Sequence, residues 1–187
     1  MQDDKIKVAF LDRDGVINRE VNYLHEIEEF EYTEYCIQGL KGLVNLGFKL
    51  IIVTNQSGIA RGYYSEEQYQ ILTKWYLNDL KDKGIEILDV FHCPHHPTES
   101  VNINIDCVCR KPKTGLIDYA MEKYNISLEN SIIVGDKSSD IEVGIKAGVN
   151  NLFMVKTGKN VDNEFSLCPV VDNLKSVSDL LSNLITK

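Results

Sequence analysis

One short segment sets the architecture of this chain: Ile6-Lys7-Val8-Ala9-Phe10-Leu11-Asp12-Arg13-Asp14-Gly15. Its first six residues are mostly apolar, which is typical of a buried β-strand. The segment then ends abruptly in two aspartates and a glycine, residue types that favour turns. A strand that ends in this way brings two carboxylates, Asp12 and Asp14, to the carboxyl end of a sheet.

Short apolar runs and amphipathic segments alternate along the rest of the chain. Ser65 and Gln68 predict a capping box for the second helix, and Ser138 or Ser139 is expected to cap the fourth. The alternation predicts an α/β fold with a mainly parallel sheet, and we see no repeat or linker within residues 1–187, which favours a single domain. The predicted strands are residues 6–11, 49–53, 88–92, 131–134, 152–155 and 170–171, and the predicted helices are about 34–46, 65–83, 114–124, 138–148 and 174–185.

The composition narrows the class of protein. The chain has 187 residues, 43% of them apolar, and contains no apolar run long enough to cross a membrane. Its first five residues are too polar for a signal peptide, so we expect a cytoplasmic protein. The net charge of −8 and the lack of a dense Lys/Arg run disfavour a nucleic-acid partner. We therefore expect a monomer that acts on a small molecule, without a membrane or nucleic-acid partner.

Polar segments follow the first four predicted strands, where open α/β sheets place their ligands. Asp12 and Asp14 follow the first strand and Asp136 follows the fourth, with Asp140 one helical turn later. An isolated Asp-x-Asp-Gly sequence is as readily a plain turn, but a third carboxylate from another strand favours a site. Clustered carboxylates repel one another unless a cation balances them, and oxygen ligands suit Mg²⁺. The sequence therefore predicts a catalytic Mg²⁺ site.

Four segments resemble, in the right order, the four motifs of the haloacid dehalogenase-like phosphatases. They are residues 10–18, 53–58, 110–112 and 134–140, so the resemblance covers nearly the whole chain. It implies a three-layer, Rossmann-like parallel sheet. It also implies a phosphoryl-transfer reaction, in which positioning and charge neutralisation are the main demands.

The resemblance gives each residue of these motifs a role. Asp12 is implied as the nucleophile that forms an acyl phosphate, and Asp14 as the general acid and base. Thr54 and Lys111 are implied to stabilise the phosphoryl group. The implied Mg²⁺ ligands are Asp12, Asp136 and the backbone carbonyl of Asp14.

A second metal site is indicated by residues 93–112, a stretch with neither helical nor strand periodicity. The candidate ligands are Cys93, His95 or His96, Cys107 and Cys109. A Cys₃His set is a known composition for structural Zn²⁺, although the residues alone neither choose between the histidines nor exclude free thiols. The family resemblance favours His95. Four protein ligands leave no open position, so we expect the Zn²⁺ to be structural and to pin the loop that leads into Arg110 and Lys111.

The motif spacing leaves no room for a cap domain after the first or third strand, so the site should be open. Within the superfamily, segments 23–27 and 59–62 resemble the phosphatases that act on D-glycero-D-manno-heptose 1,7-bisphosphate. That resemblance implies removal of the C7 phosphate of a small phosphorylated sugar, leaving heptose 1-phosphate for nucleotide activation. The residues it implies for substrate binding are Glu20, Val21, Asn22, Tyr23, Asn55, Gln56, Ser57, Arg110 and Lys137.

Several alternatives stay open at this point. The histidinol-phosphate phosphatases share the zinc loop and the motifs, and are the main alternative. Residues 19–22 depart from the family pattern, in which a glycine-containing turn is frequent, so the sugar contacts and the anomer preference are undecided. Lys137 has a structural alternative, pairing with Asp12 or Asp136. A signalling receiver domain is disfavoured, because its phosphorylated aspartate follows the third strand, which here ends in His92 and Cys93.

Overall fold

The computed structural model describes residues 5–99, 107–158 and 167–185. The strands are β1 (Val8–Leu11), β2 (Lys49–Asn55), β3 (Ile87–Cys93), β4 (Ile132–Gly135), β5 (Asn151–Val155) and β6 (Val170–Val171). The helices are α1 (Cys36–Asn45), α2 (Glu66–Asp82), α3 (Gly115–Lys123), α4 (Ser138–Ala147) and α5 (Leu174–Ile185). Short 3₁₀ turns lie at Ile27–Glu29 and Leu128–Asn130.

The strands form one sheet in the order β3-β2-β1-β4-β5-β6, and every pairing is parallel. Leu11 of β1 pairs with Ile52 of β2 on one side and Val134 of β4 on the other. The chain therefore winds outward from β1 in both directions, and the winding reverses between β1 and β4. Open sheets of this order bind ligands in the crevice at that point. Asp12 lies at this point, since its backbone N–H donates to the carbonyl of Val134 at 3.0 Å.

Each face of the sheet packs against its own layer of helices, because successive side chains of a strand point to opposite faces. Leu11 belongs to the apolar cluster formed with α1, α2 and α5, whereas Phe10 belongs to the cluster formed with α3 and α4. Both side chains are fully buried, and burial of a side chain of this size contributes about 1.5–3 kcal/mol. Two cores thus fix the position of β1 and of the acidic segment that follows it.

The predicted strands and helices are confirmed, with no end shifted by more than two residues. The first strand starts at Val8, because Ile6 pairs only as an isolated bridge with Ile126. The predicted capping box of α2 is present between Ser65 and Gln68.

The predicted serine cap of α4 is wrong. Lys137 occupies the N-cap position and the helix already includes Ser138. The carboxylate of Asp140 accepts hydrogen bonds from the backbone N–H groups of Asp136 at 3.2 Å and Lys137 at 3.0 Å. An acid in the first turn thus satisfies the donors at the start of the helix and complements its positive end.

The predicted absence of a cap domain fits the described chain. Between β1 and β2 lie only the turn at Ile27–Glu29 and α1, and the described residues between β3 and α3 form no helix or strand. Part of the predicted zinc loop, residues 100–106, lies outside the described residues, so the assignment of residues 1–187 to one domain stays a prediction. Within the three described ranges, no helix combines the length and apolarity that a membrane crossing requires.

Candidate active site

A cavity of about 350 Å³ opens at the carboxyl ends of the central strands. Every residue that the family resemblance assigned to substrate binding lines it, as do three of the residues implied in catalysis. Thr54 and Asp136 are buried and are not among the described residues of its wall. The wall is formed by Asp12, Arg13, Asp14, Glu20, Val21, Asn22, Tyr23, Leu24, Asn55, Gln56, Ser57, Gly58, Tyr64, Arg110, Lys111, Lys137, Ser139 and Asp140.

Asp12 is a buried carboxylate in the wall of this cavity. The Nζ atom of Lys111 lies 3.1 Å from its Oδ1, and the backbone N–H of Arg13 donates to the same oxygen at 2.8 Å. Burial raises the pKa of Asp12, and the positive charge of Lys111 opposes this shift without cancelling it. Because Oδ1 is held by two donors, the orientation of the whole carboxylate, and so of Oδ2, is fixed.

Lys111 contacts the segment after β1, the end of β2 and the first turn of α4. Its Nζ lies 2.6 Å from Oδ1 of Asp140 as well as 3.1 Å from Asp12, and donates to the carbonyl of Val53 at 2.7 Å. The side chain of Asn55 accepts from the backbone N–H of Lys111 at 3.0 Å and donates to its carbonyl at 3.2 Å. Burial alone would lower the pKa of Lys111, but the two carboxylates raise it above its usual value. The amine therefore carries its charge while buried.

Asp136 is buried, and neither of its carboxylate oxygens has a hydrogen-bond partner among the described residues. The Nζ atom of Lys137 lies 3.6 Å from its Oδ1. Burial and then repulsion from Asp12 raise the pKa of Asp136 to about 8. A buried polar group without a partner costs about 1–3 kcal/mol, so Asp136 has the surroundings of a carboxylate whose partner comes from outside the chain.

The carboxylates of Asp12, Asp136 and Asp140 form a cluster in which the ligand oxygens lie within 4.8 Å of one another. Oxygen donors and an unpartnered buried carboxylate fit a hard divalent cation such as Mg²⁺. Asp140 already contacts Lys111 and the backbone at the start of α4, so it supports the other members of the cluster. The side chain of Asp14 is not part of the cluster, and the prediction for its backbone carbonyl stays a prediction.

Two glycines enclose the carboxylate of Asp136. A Cβ atom at position 15 would lie 2.5 Å from Oδ2 of Asp136, and one at position 158 would lie 2.1 Å from it. The hydroxyl of Thr157 donates to the carbonyl of Gly15 at 2.6 Å, which ties the segment after β5 to the acidic segment after β1. The segment after β5 therefore completes the candidate metal site, although we did not predict this from the sequence.

Asp14 is held by a network of donors. Nη2 of Arg13 donates to its two oxygens at 2.8 and 3.0 Å, and Asn18 Nδ2 and Gln56 Nε2 each donate at 2.9 Å. Burial tends to raise the pKa of Asp14, but the guanidinium and the hydrogen bonds outweigh it and hold the pKa below its usual value. Asp14 is therefore an ionised carboxylate in this structure. Nη2 of Arg13 also donates to the carbonyl of Leu24 at 3.2 Å, which links the network to the cavity wall.

Gln56 connects the first two motifs. In addition to its bond to Asp14, its Nε2 lies 2.9 Å from the hydroxyl oxygen of Thr54, which accepts. Its Oε1 accepts from the hydroxyl of Tyr64 at 2.6 Å. Thr54 thus lies beneath the cavity rather than in its wall, and Gln56, predicted only to bind substrate, also fixes the position of Asp14.

The predicted zinc ligands come together as a compact cluster. Sγ of Cys93 lies 3.1 Å from that of Cys109 and 3.8 Å from that of Cys107, and Nδ1 of His95 lies 3.5 Å from Cys93 and 3.2 Å from Cys109. The corners of a tetrahedron with Zn–S bonds of about 2.3 Å are about 3.8 Å apart. The Cys93–Cys107 separation equals this value and the Cys93–Cys109 separation is shorter, so the cluster is compact enough for all four residues to reach one Zn²⁺ ion. His96 lies outside the cluster, and its Nδ1 accepts from backbone N–H groups of its own loop.

The loop that carries this cluster is bonded directly to the cavity wall. The carbonyl of Cys93 accepts from the backbone N–H of Gln56 at 2.7 Å, and that of Pro94 accepts from Ala60 at 3.1 Å. Nη1 of Arg110 donates to the carbonyl of His95 at 3.0 Å. A metal ion that ordered this loop would therefore also order the second motif and Arg110.

Lys137 and Glu20 form an ion pair at the rim of the cavity. Their Nζ and Oε2 atoms are 2.8 Å apart, compared with 3.6 Å from Nζ to Asp136. Burial would lower the pKa of Lys137, but Asp12, Asp136 and Glu20 together raise it. Both readings of Lys137 are consistent with this geometry, because the amine lies near the metal-site carboxylate and in the cavity wall.

Two parts of the site were not predicted from the sequence. Arg13 lies between two functional aspartates and is completely buried, and a buried charge implies a buried partner. Thr157 and Gly158 follow β5, and the rule used for the first four strands, applied to the fifth, would have found them.

Comparisons with known proteins agree with this geometry. A family model described as HAD-hydrolase-like matches residues 108–177. A D-glycero-alpha-D-manno-heptose-1,7-bisphosphate 7-phosphatase from Photorhabdus laumondii is 58% identical over 182 residues, covering 97% of this chain and 100% of the relative. A D-glycero-beta-D-manno-heptose-1,7-bisphosphate 7-phosphatase from Pasteurella multocida is 39% identical, covering 95% of this chain and 98% of the relative.

A solved structure matches equally well in shape. The D,D-heptose 1,7-bisphosphate phosphatase of B. bronchiseptica, complexed with magnesium and phosphate, superposes with a TM-score of 0.83 at 25% identity. The match covers 96% of this chain and 99% of that one. The fold and the site are therefore those of a haloacid dehalogenase-like phosphatase. Within that superfamily, the chain belongs to the D-glycero-D-manno-heptose-1,7-bisphosphate 7-phosphatase family.

The contact between Gly158 and Asp136 gives a test of the metal site. We expect Gly158→Ala to weaken Mg²⁺ binding about 10–100-fold, because the added methyl group must displace a metal-site carboxylate. Isothermal titration calorimetry with Mg²⁺ measures the change. The control is Lys156→Ala, two residues before Gly158, which removes only an exposed ion pair with Asp172. Equal Mg²⁺ affinity in the Gly158→Ala variant and the wild type would contradict the assignment of Asp136 as a ligand.

Proposed function

We propose that this protein hydrolyses the C7 phosphate of D-glycero-D-manno-heptose 1,7-bisphosphate, giving heptose 1-phosphate for nucleotide-heptose biosynthesis. The observation that carries the proposal is the buried Asp12, oriented by Lys111, beside Asp136, whose oxygens have no hydrogen-bond partner among the described residues, at the reversal point of the sheet. Full-length relatives at 58% and 39% identity bear this activity in their names. The relatives reported above give no support to the alternative of a histidinol-phosphate phosphatase.

In the proposed first step, Asp12 attacks the phosphorus atom and forms an aspartyl phosphate while the bond from phosphorus to the C7 oxygen breaks. Asp14 donates a proton to the departing C7 oxygen. Asp14 is ionised in the free protein, but a phosphate dianion bound close by raises the pKa of a neighbouring carboxyl group and so favours protonation. Asp12 and Asp14 both line the cavity. A phosphate group that reacts with Asp12 would therefore lie close enough to raise the pKa of Asp14.

In the proposed second step, Asp14 accepts a proton from a water molecule that attacks the aspartyl phosphate. The bond from phosphorus to Asp12 breaks, and inorganic phosphate leaves. The ionised state of Asp14 in this structure is the state that this step requires. The guanidinium of Arg13, the amide of Gln56 and the side chain of Asn18 hold that carboxylate in place for both steps.

Two metal ions complete the proposal. A Mg²⁺ ion held by Asp12, Asp136 and the backbone carbonyl of Asp14 would neutralise charge on the phosphoryl group. Thr54, Lys111 and the backbone N–H of Asn55 are proposed to stabilise the same group. A Zn²⁺ ion held by Cys93, His95, Cys107 and Cys109 would be structural. The magnesium in the related B. bronchiseptica structure and the ligand separations in this one support these assignments.

For the sugar itself, we propose the α anomer as the preferred substrate. The relative at 58% identity is named for the α anomer, whereas that at 39% is named for the β anomer. The proposed sugar contacts are Glu20, Val21, Asn22 and Tyr23 on one wall, Gln56 and Ser57 on another, with Arg110 and Lys137 as the cations for the distal phosphate. We further propose a cytoplasmic location, because thiols stay reduced in that compartment. The expectation of a monomer stays a prediction.

Substitution of the nucleophile tests the chemistry. We expect Asp12→Asn to abolish phosphate release, because an amide oxygen cannot form the aspartyl phosphate. Asp14→Asn should lower kcat about 10²–10⁴-fold, since it removes general acid–base catalysis. A colorimetric assay of inorganic phosphate gives both rates, with the exposed Asp118→Asn as the control. Substantial turnover by Asp12→Asn would rule out the covalent route.

The zinc site is tested by metal content. The purified wild type should contain one Zn²⁺ per chain by inductively coupled plasma mass spectrometry, because the cluster offers four ligand atoms within 4.8 Å of one another. Cys109→Ser should lose most of the zinc, whereas Cys168→Ser, outside the cluster, should keep it. A wild type with far less than one zinc per chain would refute the assignment.

Substrate identity is tested by steady-state kinetics on three compounds. We expect kcat/KM to be highest for the α anomer of heptose 1,7-bisphosphate, lower for the β anomer, and lower again for histidinol phosphate. The discrimination between anomers should be about tenfold or more, as expected for one misplaced polar contact in a binding site. A higher kcat/KM for histidinol phosphate would overturn the proposed function, and a preference for the β anomer would overturn only the choice of anomer.

A further inference from the structure

The cavity wall contains a residue in a conformation that its side chain disfavours. Tyr23 has a φ of 58°, in the left-handed region that few bulky residues adopt. Tyr23 directly follows residues 19–22, the segment that departs from the family pattern. Such a conformation persists only where the surroundings hold it in place. The question is therefore what holds Tyr23.

Arg61, which follows the second motif, makes the contacts that answer this question. Its guanidinium lies over the ring of Tyr23 at 5.5 Å and over the ring of Tyr63 at 5.3 Å. The two rings are 4.3 Å apart, so the cation and both rings form one cluster. Nη1 of Arg61 also donates a hydrogen bond to the hydroxyl of Tyr23. Cation–π contacts of this kind contribute about 0.5–1 kcal/mol each at exposed sites.

The other edge of the same guanidinium reaches the zinc loop. Nε of Arg61 donates to Oε2 of Glu99 at 2.8 Å, and Nη2 lies 2.7 Å from that oxygen. One planar group therefore joins the segment of the first motif, the segment of the second motif and the loop after β3. A lysine, with a single ammonium group, cannot make this forked set of contacts.

Arg61 does not lie in the cavity wall, whereas Tyr23 does. Its charge is engaged by Glu99, and the cations that line the cavity are instead Arg110 and Lys137. The backbone of the wall has its own supports, since His25 Nδ1 lies 2.8 Å from the carbonyl of Tyr23 and Arg13 donates to the carbonyl of Leu24. Arg61 differs from these supports because it contacts the side chain of Tyr23 rather than the backbone of the wall.

We propose that Arg61 is a positioning residue for substrate selection: it fixes the side chain of Tyr23, and through it the wall that contacts the sugar. The proposal rests on the proposed function, because it takes the group beside Tyr23 to be the heptose. It makes Arg61 important for sugar recognition and unimportant for phosphoryl transfer itself.

The first test needs no substrate. Hydrogen–deuterium exchange, followed by mass spectrometry, should show faster exchange over residues 20–25 in Arg61→Gln than in the wild type. Lys83→Gln, which removes an exposed ion pair with Asp79 outside the cavity wall, should leave that exchange unchanged. Unchanged exchange over residues 20–25 in Arg61→Gln would overturn the proposal whatever the substrate proves to be.

The second test compares two phosphoryl donors. With heptose 1,7-bisphosphate, Arg61→Gln should raise KM about tenfold with little change in kcat, because a displaced wall weakens binding more than chemistry. With acetyl phosphate, which carries no sugar, kcat/KM should stay within about twofold of the wild type. Equal losses on both donors would indicate a general structural defect and overturn the proposal. If the wild type does not hydrolyse heptose bisphosphate, the proposed function fails, and the exchange experiment still decides the role of Arg61.

Two further variants separate positioning from simple charge. Arg61→Lys keeps the charge but loses the fork, so its KM should resemble that of Arg61→Gln; recovery of the wild-type KM would instead indicate attraction of an anionic substrate. In the background of Tyr23→Ala, Arg61→Gln should have little additional effect on KM, because the residue it positions is gone. Additive effects of the two substitutions would show independent roles and overturn the proposal.

Discussion

The site depends on the repulsion between two buried carboxylates at the ends of two neighbouring strands. Asp12 follows β1 and Asp136 follows β4, and the strands are hydrogen-bonded to each other. Burial and then repulsion from Asp12 raise the pKa of Asp136. Lys111 supplies one compensating charge from the third motif, and its contact with Asp140 extends that compensation to α4. Among the described residues the oxygens of Asp136 have no hydrogen-bond partner, and such a carboxylate fits the coordination of a metal ion.

Much of this arrangement can be predicted from the sequence, because it depends on local patterns. The apolar run before Asp12 predicts a strand, and the order of polar segments predicts which residues meet at the edge of the sheet. The three cysteines within residues 93–112 predict their own cluster, since few other roles gather three thiols near a histidine. The choice of His95 over His96, however, depends on the course of the loop, and the residues alone left it open.

The rest depends on contacts that periodicity does not reveal. The cap of α4 was misassigned because two serines stand at its start, whereas the acid that satisfies the backbone donors lies inside the first turn. Thr54 lies beneath the cavity, because Gln56 is interposed between it and Asp14. The position of Gly158 after β5 could have marked it as part of the site, but its close approach to Asp136 is visible only in the structure.

The hydrogen bond from Thr157 to Gly15 joins residues that are 142 positions apart in the chain. Contacts of such long range form late in folding, because loop-closure entropy opposes them until the intervening structure is in place. The candidate metal site lies between those two residues, so a partly folded chain presents scattered acids and no binding site. Catalytic activity therefore requires the segment after β5. A nascent or truncated form that lacks this segment would have no activity, rather than activity on a wider range of substrates.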